Sequence, residues 1–293
     1  MTDEREEHDL GLSHDLPRII ERNQRMGRRG MLAVFGAAGV AALAVSCGTD
    51  DPETTSGSSA PAGGPGQGGA GGPGAAGAES SVEVAEGEIP EETAGPYPGD
   101  GSNGVNVLTE SGVVRSDLAT SFGSASGVAE GVPVTIRLKV YDLNGEDVTA
   151  LSGAAVYLWH CDREGRYSMY DEEIKDENYL RGVQETDASG RVEFTSIFPA
   201  CYDGRWPHLH FEVYRSLADA TSYTDKLRTS QLALPQDACE AVYATAGYEQ
   251  SVANLARVSL DGDMVFADGH SLQLATVTGS VDDGYTIALN VPV

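Results

Sequence analysis

The sequence predicts a mainly β protein: an antiparallel β-sandwich with few short helices, preceded by a signal segment and a disordered tether. Three observations carry this. Val134, Ile136, Leu138 and Val140 alternate with Thr135, Arg137 and Lys139, the two-residue period of a half-buried strand. Leu209, Phe211 and Val213 alternate in the same way with His208, His210, Glu212 and Tyr214. Turn signals such as Asp187-Ala188-Ser189-Gly190 and Asp282-Asp283-Gly284 recur between short apolar runs, the rhythm of a sandwich rather than of packed helices.

In chain order, residues 1–46 come first and read as an export signal. A polar stretch ends in Arg22, Arg25, Arg28 and Arg29, an apolar run follows over residues 31–45, and Ser46-Cys47-Gly48 closes it. That run of 15 residues is short of the ~20 that a membrane-crossing helix requires. A basic region, a short apolar core and small residues at its end are the parts of a secretory signal. Arg28-Arg29 is similar to the twin-arginine export signal, and Leu43-Ala44-Val45-Ser46-Cys47 to the lipobox of bacterial lipoproteins, in which Cys47 carries the lipid. Gly27 and Ala44 depart from the commonest residues of those signals. A plain secretory signal with an incidental Cys47, or a buried helix of the domain, are the alternative readings of this segment.

Residues 47–90 are dominated by Gly, Ala, Pro and Ser. They bury too little apolar surface to offset their ordering entropy, so a flexible tether is expected, followed by the folded domain at 91–293. The formal charge is −26. Residues 1–46 hold six Arg and seven acidic residues, which leaves 13 basic against 38 acidic, or −25, on the remainder. Such a chain has no basic face for nucleic acid or anionic lipid headgroups, so any membrane contact is expected through a lipid anchor alone. With Cys47 lipidated, Cys161, Cys201 and Cys239 allow one disulfide in an oxidising compartment, and the sequence does not choose the pair.

Within the domain, residues 154–161 form a continuous apolar run suited to a central strand. Val192, Phe194 and Ile197 mark another, and residues 272–276 and 285–291 are expected to pair. One helix is expected over residues 237–246, opened by Pro235 and Asp237 and stopped at Gly247. No internal repeat is evident.

The chemistry centres on His208-Leu209-His210. Residues i and i+2 of a strand project from one face, so the two imidazoles suit a single metal ion, although a plain polar strand face has the same pattern. Around it lie Leu158-Trp159-His160, Gly165-Arg166-Tyr167, Arg181-Gly182, Asp187-Ala188-Ser189-Gly190, and Pro199-Ala200-Cys201-Tyr202, with Arg205 three residues before His208. Glu92-Thr93-Ala94-Gly95-Pro96 opens the domain. In this order the set resembles the intradiol ring-cleavage dioxygenase family, of which catechol and protocatechuate dioxygenases are the type members. The resemblance runs well over residues 91–239 and loosely beyond.

The resemblance implies a non-haem Fe(III) held by Tyr167, Tyr202, His208 and His210. Two phenolate oxygens are hard anionic donors that favour a trivalent ion over the metals imidazole alone accepts. It further implies that a catechol and O2 are the substrates and a muconate-type diacid the product. Tyr202 would yield its place to the catechol and take a proton. Arg205 would steady developing charge, and Gln231 would hydrogen-bond substrate oxygens. Two departures stand out: only five residues separate Tyr202 from His208, which suggests a more open pocket, and an N-terminal helical segment used in dimer contacts is absent. The oligomeric state is therefore open. The rival readings are a non-catalytic cell-surface binding module on the same scaffold, and a surface site using His208 and His210 for zinc or copper, which leaves the paired Tyr motifs without a role.

Overall fold

The computed structural model describes residues 87–143 and 148–293. The export signal, Cys47 and nearly all of the tether expected at 47–90 lie outside the described residues. Among the described residues, no helix is long and apolar enough to cross a membrane.

Among the described residues, nine strands form two sheets. In the first, β1 (Pro133–Asp142) pairs antiparallel with β5 (Arg191–Ile197) and, at its end, with β2 (Thr149–Ala150). On its other side it runs parallel to β9 (Gly284–Pro292), which pairs antiparallel with β8 (Thr276–Ser280). The second sheet has the order β4-β3-β6-β7, all antiparallel, from β4 (Arg181–Glu185), β3 (Ala155–Trp159), β6 (His208–Tyr214) and β7 (Lys226–Ala233). The core between the sheets takes the apolar set expected of β1, Val134, Ile136, Leu138 and Val140, against Val156, Leu158, Leu209, Phe211 and Val213. The alternating side chains of β3 and β6, among them Tyr157, Trp159 and Tyr214, point to the opposite face and into a second cluster. That face is not solvated as in a simple two-layer sandwich; every residue of β6 is buried.

Three expectations need correction. The strand before the last turn is Thr276–Ser280, not 272–276: residues 273 to 275 instead bond to Ala233 at the end of β7, Ala233 N–H to the Gln273 carbonyl at 2.8 Å and Ala275 N–H to the Ala233 carbonyl at 3.0 Å. The helix α1 (Gln236–Tyr243) ends sooner than Gly247, which sits at φ +93° in the link to a second helix, α2 (Glu249–Leu255). This helix buries Ser251 and Asn254 and has no apolar stripe by which the sequence would announce it. Finally, Cys161, Cys201 and Cys239 are all buried free thiols, so the disulfide that the sequence allowed does not form among them.

Candidate metal centre

The second sheet's outer face builds the site. On β6, His208 and His210 lie on that face, and strand register sets Trp159 of β3 directly opposite His210 on one side and Gln231 of β7 opposite it on the other. Trp159 stacks on the His210 ring with centroids 5.0 Å apart and planes 8° apart, and Tyr157 stacks on Trp159 in turn at 4.9 Å. Tyr167 arrives from the β3–β4 connection and Tyr202 from the β5–β6 connection.

Their polar atoms meet in a ring. Tyr202 Oη lies 3.0 Å from His208 Nε2, which lies 3.1 Å from His210 Nε2. The circuit closes through Tyr167 Oη, 3.3 Å from His210 Nε2 and 3.5 Å from Tyr202 Oη. Those edges are what neighbouring donors show around one cation bound at ~2.0–2.1 Å. All four predicted metal-site residues therefore converge. Among the described residues, no group of three or more His, Cys, Asp and Glu side chains does so, and half of this donor set is phenolic.

The protonation states suit a cation. His208 Nδ1 donates to the Trp206 carbonyl at 2.5 Å, which turns the Nε2 lone pair toward the ring. Burial, then the charge of Arg205, holds the His208 imidazole well below its usual range; His210 is lowered likewise by burial and then by His208. Both are thus neutral donors at pH 7. Burial raises the Tyr167 and Tyr202 phenols above their ordinary value. Without a cation they stay protonated, so a strong Lewis acid at the centre of the ring is what would make them phenolates. His210 Nδ1 has no hydrogen-bond partner among the described residues. Its ring is oriented by the Trp159 stack instead.

Arg205 is neither a surface residue nor free. It is buried, and its Nε donates to Asp263 Oδ2 at 2.9 Å, while Nη2 donates to Gln231 Oε1 at 2.7 Å and to Asp263 Oδ1 at 3.3 Å. Nη1 stands 3.5 Å from His208 Nε2, so the charge faces the donor ring. Asp263 also accepts from the N–H groups of Trp206 and Val265. Sequence reasoning missed it; 58 residues separate it from Arg205, and an isolated Asp in a loop carries no local signal. Gln231 is committed at both ends, its Nε2 donating to the Thr93 carbonyl at 2.8 Å. That holds it between Arg205 and the N-terminal segment. The helix α2 was missed too, and it also serves the site: Ser251 Oγ accepts from Cys201 N–H and Asn254 Nδ2 donates to the Cys201 carbonyl, which fixes the backbone beside Tyr202.

Residues 91–98 cross the site as a strap. Glu92 N–H donates to the Thr229 carbonyl at one end, and the Pro98 carbonyl accepts from Tyr157 Oη and Arg181 Nη1 at the other. Gly95 passes over His210 at φ +75°; a Cβ there would stand 3.4 Å from His210 Cε1 as well as in a strained backbone conformation. The strap and Met264 flank a cleft that opens onto Tyr167, Tyr202, Arg205 and His210.

Residues 109–208 match the family profile described as Dioxygenase. Catechol 1,2-dioxygenase 2 of Acinetobacter lwoffii is 34% identical over 76 residues, 26% of this chain and 26% of that protein. The chlorocatechol 1,2-dioxygenase of Rhodococcus opacus is 34% identical over 55 residues, 19% of this chain and 21% of that protein. The chain thus spans about a quarter of the length of the curated relatives it matches. Among solved structures, an intradiol ring-cleavage dioxygenase from Tetranychus urticae shares the fold, with a TM-score of 0.51 and 23% identity over 62% of this chain and 87% of that one. The matched segment holds Tyr167, Tyr202, Arg205 and His208, and over it the chain is similar to intradiol ring-cleavage dioxygenases, whose sandwich fold it shares.

Proposed function

We propose that this protein is a non-haem Fe(III) dioxygenase that cleaves a catechol between its two hydroxylated carbons with O2, giving a muconate-type diacid. The observation that carries the reading is the ring of two phenols and two neutral imidazoles, a donor set suited to a hard trivalent ion rather than to zinc. Iron bound there supplies positive charge that holds phenolates and draws electron density from a bound catecholate.

The chain's own residues divide the remaining work. Tyr202 is the one partly exposed member of the four, the other three being buried. It is therefore the donor placed to give way to an incoming catechol, and its Oη the base that receives a substrate proton. Arg205 keeps a fixed cation beside the ring, pinned by Asp263 and Gln231 so that no reorganisation is needed as negative charge builds. The strap and Met264 limit water at the cleft. For location, we propose export by residues 1–46 and attachment through lipidated Cys47 outside a bacterial cytoplasmic membrane. The basic cluster, short apolar run and lipobox-like segment support this.

Purified protein should carry one iron per chain, show a visible tyrosinate-to-iron absorption band and consume O2 with catechol. A colourless, zinc-containing protein, or one that binds catechols without oxygen uptake, would refute the assignment. Cys47→Ser should move the protein from the membrane fraction to the medium, and retention of that variant in the membrane would sink the lipid-anchor proposal.

A further inference from the structure

We infer that the cleft takes catechols whose ring substituents are uncharged and rejects those that carry a ring carboxylate. This deepens the catechol-cleaving reading and rests on it. The walls above the donor ring come from Thr93, Ala94, Pro96 and Tyr97 of the strap and from Met264, none of which carries a formal charge at pH 7. Arg205 is the one cation among the cleft-lining residues, and it is not available to a distal substituent. Its Nε and Nη2 are held by Asp263 and Gln231, and Nη1 faces His208 and the donor ring.

Arg181 and Arg257 are engaged elsewhere. Arg181 is buried behind the strap, donating to Pro98, Tyr157 and Ser168, and Arg257 bonds Asp203 and Asn254. The residues that flank these walls in the chain add no cation. Glu92 precedes Thr93, Asp263 precedes Met264, and Asp268 follows on the same loop. These carboxyls act on one another: burial and then the charge of Asp268 push Glu92 up to about 8, with Asp263 adding to the effect. With Glu92 held protonated at pH 7 and Asp263 paired with Arg205, a carboxylate on the far side of a bound ring would lose water and gain no cation in return. The catechol oxygens escape the same penalty because they face the donor ring and Arg205. At longer range the formal charge of −26 further disfavours anionic ligands.

The full-length iron-loaded protein should be tested with 4-methylcatechol, 3,4-dihydroxybenzoate and the methyl ester of the latter. Oxygen uptake gives kcat/KM, and titration of the visible band under anaerobic conditions gives Kd independently of turnover. The acid should fall at least about tenfold below 4-methylcatechol in both quantities, while the ester, larger but neutral, should stay within about tenfold of it. An acid that matches 4-methylcatechol to better than tenfold overturns the inference. So does rejection of acid and ester together, because size rather than charge would then decide. Absence of oxygen uptake with all three would instead overturn the dioxygenase reading and this inference with it.

Discussion

The two faces of β6 are equally buried and differ in almost everything else. Leu209, Phe211 and Val213 face the other sheet and pack by shape alone, whereas His208, His210, Glu212 and Tyr214 face outward into a layer made of loops. The inner face needs only apolar neighbours of suitable volume, and β1, β3 and β9 supply them. On the outer face each polar group needs a named partner: the Trp206 carbonyl for His208, Trp159 for His210, and Tyr214, Thr229 and Lys226 for Glu212. Burial of a polar group demands specific geometry where burial of an apolar one demands only contact. One strand thus separates fold from chemistry by its two-residue period.

The sharpest way to break the comparison is to truncate adjacent residues of β6. His210→Ala should abolish iron binding and reduce oxygen uptake to background, as should loss of the Tyr167 hydroxyl in Tyr167→Phe to a lesser degree, with the urea midpoint of the metal-free protein little changed. Metal analysis and denaturation of the apoprotein check both halves; full iron and full turnover in both variants would remove the donor assignment. Phe211→Ala, one residue along, should do the reverse: a loss of roughly 3–5 kcal/mol of stability, with iron retained by the molecules that remain folded.

Arg205 tests whether a charge can serve both faces of the argument. Arg205→Leu should lower kcat by ~10²–10³ through loss of a preorganised cation. It also strands the buried Asp263 carboxylate, which should destabilise the fold by about 3–5 kcal/mol. The double variant Arg205→Leu with Asp263→Asn removes the unpaired charge, so it should recover much of the stability and none of the rate. Recovery of both would mean that Arg205 acts only as a structural ion pair.

The inner face of β6 was almost fully legible in the sequence, as were β1, β3 and β5, because a period of two along a strand is a local signal. The donor ring was legible through its motifs, since Tyr167, Tyr202 and the His pair each sit in a short recognisable context. What surrounds the ring was not. Asp263, the double commitment of Gln231, and the grip of Ser251 and Asn254 on Cys201 are contacts across 26 to 138 residues, and each is one polar residue in an unremarkable loop, strand or short helix. The strand expected at 272–276 failed for a related reason: Leu272 and Leu274 flank Gln273 with a strand-like period, but tertiary contacts to Ala233 claim that segment before β8 begins.

The smallest expected effect concerns the far end of the outer face, where no donor ring lies. Glu212 is fully buried, and burial followed by the charge of Asp100 pushes its carboxyl up to about 7 from 4.5, against the opposing pull of Tyr214 and Lys226. Between about pH 4.5 and 7 the folded protein therefore holds a proton that the unfolded chain has released. More protons bound to the folded state means that stability declines as pH rises through this window, and levels off above it. Glu212→Gln keeps the shape and cannot ionise, so its thermal midpoint should vary less between pH 5 and pH 8 than that of the parent. Because the site end of β6 is carried by other partners, iron content should be unchanged in the variant. A parent whose midpoint rises from pH 5 to pH 7 along with the variant's would show that the Glu212 pocket stabilises the charged form, through Lys226, and that this end of the face is a salt bridge rather than a buried acid.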